Sequence, residues 1–164
     1  MSLVLAARFR KPWPIVAGIL VATLFNHTAA GALGAWLTHV VGEATMTRIA
    51  GASFIAMAAW VLIPDKLDEA EAGAKSHGGV FMTTAVLFFL AEMGDKTQVA
   101  TIALAARYPS LVQVVAGTTL GMLAANMPVV FFGDAIARRV PLILVRRITA
   151  VAFAVLGILA LVAA

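Results

Sequence analysis

The sequence predicts an all-α, polytopic membrane helix bundle, and three observations predict it. Of 164 residues, 62% are hydrophobic and only 12% charged, whereas a soluble domain carries about a quarter charged residues. Five apolar runs meet or approach the roughly 20 residues that cross a bilayer as a helix. The basic residues gather in short clusters between those runs, as connecting segments of membrane proteins do. Lipid is therefore the expected solvent and membrane lipid the first expected partner. The net charge of +4 reflects those clusters, so nucleic acid is not an expected partner. The chain has no cysteine, which excludes disulfides, thiolate metal sites and thiol redox chemistry.

In chain order, residues 1–10 hold an apolar patch too short for a signal peptide, with no small-residue cleavage site before Pro12. They predict the tail of a helix that begins upstream. The predicted spans are 13–37, 47–63, 80–106, 111–136 and 142–162. The second is short and Pro64 closes it. Between it and the third lies a hydrophilic stretch, 65–79, carrying Asp65, Lys66, Asp68, Glu69, Glu71 and Lys75 and ending in Gly78-Gly79. It predicts a solvated linker joining a first half, 1–64, to a second, 80–164. Trp13, Trp36 and Trp60 stand near span ends, where indoles anchor at the interface. In the fourth span, Gly117-x-x-x-Gly121 predicts close helix packing. Thr118 and Thr119 are expected to bond carbonyls of their own helix, and Pro128 to kink or loosen it. Asp134 is expected to pair with Arg138 at a helix end.

If the spans alternate sides, one face holds Arg8, Arg10, Lys11, Lys66, Lys75, Arg138, Arg139, Arg146 and Arg147, and the other only Arg48 and Arg107. The positive-inside rule then puts the 65–79 linker in the cytoplasm and the C-terminus outside. A shift of 99 positions lays residues 5–63 on 104–162 without a gap, with 14 of 59 positions identical. The matches include Leu5-Ala6-Ala7-Arg8 on Leu104-Ala105-Ala106-Arg107, Gly18 on Gly117 and Gly34 on Gly133. Arg8 and Arg107 fall on opposite sides, so the halves are predicted inverted repeats, a common build of secondary transporters. The second half has three spans and the first only two. The first helix of a three-helix unit is expected upstream of residue 1, and its absence is expected to leave a groove exposing Gly18, Gly31 and Gly34.

The third span carries the chemistry: Glu92-Met93-Gly94-Asp95-Lys96-Thr97-Gln98 in the middle of an apolar run. Each charge at mid-membrane costs about 2.5–3.5 kcal/mol on insertion scales, so such residues face a protein interior or a watery cavity. On one continuous helix Glu92 and Asp95, three apart, would share a face, and Gly94 would permit close approach to the backbone. Carboxylate and hydroxyl oxygens suit hard divalent cations. Two adjacent carboxylates can trade protons for a metal, with Lys96 balancing charge when the metal is away. The structural alternative is an ion-pair cluster, Lys96 with Asp95, that only holds helices together.

Glu92-Met93-Gly94-Asp95-Lys96-Thr97 resembles the E-x-G-D-[KR]-[ST] signature of the transmembrane protein 165/Gdt-type cation exchangers, and the following Gln98 to Tyr108 is also similar to bacterial members. The resemblance covers the whole chain. It implies six spans in two inverted three-helix halves, one signature in each, and exchange of Mn²⁺ or Ca²⁺ for protons. Here the first signature and its helix are absent, so half of the family's bipartite site is expected in this chain.

The expected site is thus Glu92 and Asp95 as cation ligands, Thr97 and Gln98 as neutral helpers, Lys96 for charge balance and Gly94 for close packing. Asn26, His27 and Asn126, the last repeat-equivalent to His27, either line the pathway or make interhelical hydrogen bonds. The expected function is a secondary transporter in a bacterial inner membrane, exporting Mn²⁺ or Ca²⁺ against protons. No cofactor is expected beyond the transported cation. The alternative is a nontransporting membrane subunit or an inactive truncated fragment in which the motif only packs helices; an upstream helix or a homodimer partner is the expected source of the missing half-site. Enzymatic activity is not expected: no H-E-x-x-H zinc motif occurs, nor does any arguable Ser–His pair.

Overall fold

The computed structural model describes residues 1–63, 79–133 and 141–163. Among them are seven helices and no strand: α1 (Ser2–Phe9), α2 (Pro12–Val41), α3 (Glu43–Trp60), α4 (Gly79–Glu92), α5 (Lys96–Arg107), α6 (Leu111–Phe132) and α7 (Leu142–Val162). By length and composition α2, α6 and α7 can each cross a membrane. The third expected span is not one helix but two, α4 and α5. The linker from Pro64 to Gly78, and Asp134 with Arg138 and Arg139, lie outside the described residues.

Local sequence accounts for the boundaries. Pro12 opens α2 at its first turn, where a missing N–H costs nothing and φ is already helical. Gly42, at φ +89, ends α2 and starts α3, a conformation that a Cβ disfavours. Ser110 caps α6 by accepting the Gln113 N–H at 3.4 Å. Pro128 sits inside α6 without ending it.

The repeat is visible in these boundaries. The offset of 99 carries Pro12, where α2 starts, onto Leu111, where α6 starts, and Glu43 of α3 onto Leu142 of α7. It carries α1 onto the second half of α5, and α1 packs on α6 as α5 packs on α2. Helices α2 and α6 run antiparallel: Gly31 meets Leu111 and Val115, while Ile15 and Ile19 cluster with Val130. This is the inverted relation that the charge pattern predicts.

Helix α2 is the core. In its most apolar window 56% of residues are buried, against 22% for α6 and 17% for α7, so among the described residues those two are the least covered by their neighbours. It packs on α4, α5 and α6, while α3 packs on α7 and α5. Close approach is made by glycine. A Cβ on Gly18 would lie 2.8 Å from Thr84 Cβ and 2.9 Å from the Phe81 carbonyl oxygen of α4, and one on Gly31 would lie 2.5 Å from Leu111. Gly34 abuts the Ile102 carbonyl of α5.

Two expectations are corrected here. Gly18, Gly31 and Gly34 line no open groove, since α4, α6 and α5 cover them. Gly117 and Gly121, expected to pack closely, have nothing within 4 Å among the described residues. Gly18 and Gly117 are equivalent in the repeat, but α4 fills the groove on α2, whereas no described residue covers the matching position on α6. Thr118 bonds the Val114 carbonyl of its own helix at 2.9 Å, as expected. Thr119 does not: its hydroxyl is buried with no partner among the described residues.

Candidate cation site at a broken helix

Helix α4 stops at Glu92 because two residues beyond it cannot continue. Gly94 has φ +84, and Asp95 is extended at φ −73, ψ 165 as the N-cap of α5. Glycine just past a helix end followed by aspartate at the next N-cap is the pairing that ends one helix and begins another. Glu92 and Asp95 are therefore not neighbours on one continuous helical face, as their spacing alone suggests. The turn brings them together.

Thr97, in the first turn of α5, ties the two. Its hydroxyl lies in donating geometry 3.1 Å from Glu92 Oε2 and 3.4 Å from Asp95 Oδ2. A hydroxyl has one hydrogen, so it serves one of these oxygens at a time. Gln98 holds the turn itself: its Oε1 accepts the Gly94 N–H at 2.7 Å. In this arrangement that oxygen is engaged in shaping the break. Asn26 of α2, 2% exposed, donates from Nδ2 to the Phe89 carbonyl at 3.0 Å and so fastens the last turn of α4 to the core helix.

The ends of broken helices carry fixed partial charges. Glu92 stands at the C-terminus of α4, where carbonyls lack helical donors and the dipole is negative. A cation there meets a carboxylate and backbone oxygens together, the means by which discontinuous membrane helices hold transported ions. Both carboxylate residues are half-buried, accessible yet shielded from bulk water. Lys96 is 8% exposed, and its ammonium lies 5.2 Å over the Trp60 ring of α3, an attractive geometry for a cation on an indole face. Trp60, expected only as an anchor, also receives this charge. No group of three or more His, Cys, Asp or Glu that could hold a metal occurs among the described residues. The pair with Thr97 is thus a partial set of hard oxygen donors for a divalent ion.

The remaining expected residues lie deeper. His27 is 2% exposed, with Nδ1 unpartnered among the described residues. Asn126 is hydrogen-bonded on both sides: its Oδ1 accepts the Ser2 hydroxyl, and its Nδ2 donates to the Met122 carbonyl at 2.9 Å. That is the interhelical bond left open as an alternative above. The sequence reading passed over Thr23, 1% exposed and also unpartnered. Its place four residues before His27 was the available signal.

Residues 1–69 and 80–164 match the family model described as divalent cation/proton antiporter GDT1. The chain is 46% identical over 159 residues to a protein of Vibrio cholerae serotype O1 described as "Putative manganese exporter", covering 96% of this chain and 78% of that protein. No solved structure matches the chain.

Proposed function

The chain belongs to the GDT1 divalent cation/proton antiporter family, and from that membership we propose that it exports manganese from the bacterial cytoplasm in exchange for protons. One observation carries this reading: the break between α4 and α5 sets Glu92 and Asp95 side by side on a shared Thr97 hydroxyl. Manganese and calcium accept the same oxygens. The choice of manganese rests on the description of the Vibrio relative.

The same carboxylate oxygens can hold either protons or a divalent ion. Metal entry expels protons, and metal departure lets protons return. Competition for one pair of groups makes the fluxes opposite and coupled. The test is uptake into proteoliposomes containing the chain, with a pH gradient imposed and Mn²⁺, Ca²⁺ and Mg²⁺ offered in turn. Manganese flux should follow the gradient and collapse when a protonophore dissipates it. Manganese flux indifferent to the gradient would sink the antiport reading. A preference for calcium would sink the choice of cargo. No flux of any ion would favour the nontransporting alternative.

Export needs a sidedness, and the basic clusters supply it. With Arg8, Arg10, Lys11, Arg146 and Arg147 on the cytoplasmic face, the inward proton gradient drives metal outward. A reporter fused after Ala164 should behave as periplasmic in a Gram-negative host. Cytoplasmic behaviour of that fusion would reverse the proposed direction.

A further inference from the structure

The interior of the bundle holds a second polar cluster, distinct from the carboxylate pair. His27 and Thr23 lie one turn apart on α2, at 2% and 1% exposure, and Thr119 of α6 is 3% exposed. His27 Nδ1 and both threonine hydroxyls have no hydrogen-bond partner among the described residues. The antiparallel register places them together. Val115 faces Gly31, so one turn back along α2 and one turn on along α6 His27 comes opposite Thr119.

The repeat supplies the third wall. Offset by 99, the hydrogen-bonded pair Asn126 and Ser2 becomes His27 and Thr101 of α5. Thr101 is fully buried, and its hydroxyl donates to the Thr97 carbonyl at 2.8 Å. That hydrogen is therefore spent within α5, while the oxygen can still accept. Thr97 in turn carries the hydroxyl shared with Glu92 and Asp95. Asn26, next to His27, reaches the Phe89 carbonyl, so His27 sits at the depth of the helix break.

We propose that His27 is a proton acceptor in a small hydrated pocket between α2, α5 and α6, and takes up the proton released when a cation enters the Glu92–Asp95 site. Buried polar atoms without protein partners are satisfied by water where several converge, and here they converge from two helices, with a third alongside. The step balances. The carboxyl O–H bond breaks as the metal arrives, and the proton crosses on water held by the Thr101 and Thr119 oxygens. An N–H bond then forms at Nδ1, giving imidazolium, and the imidazole returns to neutral by passing a proton on to water. Intramembrane histidines serve such relays.

The ionisable groups of the surrounding elements are few. Helix α6 has none, α4 has Glu92, α5 has Lys96 and Arg107, α1 has Arg8, and α3 has Glu43 and Arg48. Arg8 lies near one end of the bundle, and Arg107, Glu43 and Arg48 near the other. At the depth of His27 that leaves Glu92, Lys96 and, in the turn, Asp95.

This proposal rests on the antiport reading, and its test separates the two. Proteoliposomes are assayed for Mn²⁺ flux driven by a proton gradient, and for Mn²⁺ self-exchange at equal pH, which moves no net proton. His27→Asn, the residue its repeat partner carries, and His27→Gln should each leave self-exchange within about twofold and slow driven exchange about tenfold or more, in line with loss of a positioned proton acceptor. Driven exchange at the wild-type rate would overturn the relay, as would equal loss in both modes, which marks a packing residue. Should neither variant fold, the wild-type protein decides. Heavy water should slow its driven exchange about twofold and spare self-exchange, and equal sensitivity overturns the relay. A wild-type chain moving no manganese in either mode would remove the antiport assignment and this proposal with it. Normal wild-type exchange with indifferent variants removes this proposal alone.

Discussion

Glu92→Gln and Asp95→Asn should each reduce manganese exchange by more than about 100-fold while the protein remains folded and inserted. The size follows from charge. Near a protein surface, at an effective dielectric of 20, two unit charges 4 Å apart interact by about 4 kcal/mol. A divalent ion doubles that before desolvation takes part of it back. Retaining even about 3 kcal/mol corresponds to roughly 100-fold in affinity. The fold should tolerate the change. The amide oxygens still accept the Thr97 hydroxyl, which lies 3.1 Å from Glu92 and 3.4 Å from Asp95, and a neutral side chain is less costly to place in a membrane. Transport by the purified variants, with thermal unfolding in detergent alongside, measures both quantities. Exchange within threefold of wild type in both variants would remove the carboxylates from the site. Collapse of the fold would instead assign them to holding helices together.

The outline of this bundle was legible because membrane spans are written in composition. Leu111 and Leu142 as helix starts agree with the predicted limits, since Ser110 and Pro141 bound those apolar runs. The break at Gly94 was less legible. Apolar residues run on both sides of Glu92, Asp95 and Lys96, so hydropathy alone joins α4 to α5. The local signal, glycine followed by aspartate, was present, but Gly94 suggested only close packing. The candidate site residues were visible as charges in an apolar run, but their grouping depends on a turn that a helical spacing rule cannot describe. Gln98 shows the same limit: its residue type suggests a ligand, while its hydrogen bond from the Gly94 N–H, which braces the turn, was not legible. Thr118 and Thr119 differ by about 100° of rotation around α6. One therefore satisfies itself on its own helix while the other turns into the bundle, a distinction that needs the neighbouring helices.

Gly34→Ala should sharply lower the yield of folded protein, whereas Gly117→Ala should leave yield and thermal stability unchanged. Both glycines lie in apolar membrane helices, and the sequence pattern alone favours the reverse, with Gly117 packed and Gly34 exposed. Packing separates them. A Cβ on Gly34 would press into the Ile102 backbone carbonyl of α5 and lie 3.2 Å from Ala105 Cβ. Backbone oxygen cannot rotate aside as a side chain can, so α2 and α5 would have to move apart. Overpacking a close contact costs about 1–3 kcal/mol in adaptable cores, and a contact against main chain belongs at or above the upper end. Separation of these helices would also shift α5, whose first turn carries Thr97 and the Asp95 cap, so surviving protein should bind manganese weakly. Gly117 has nothing within 4 Å among the described residues, and a surface methyl falls within about 0.5 kcal/mol of neutral. Gly133, the repeat partner of Gly34, is different again: at φ +52 it terminates α6, with nothing within 4 Å of an added Cβ among the described residues. Membrane abundance, thermal unfolding and manganese binding for Gly34→Ala and Gly117→Ala measure the contrast. Equal behaviour of the two would mean that α5 does not seat against Gly34, and the placement of the carboxylate turn against the core helix would fall with it.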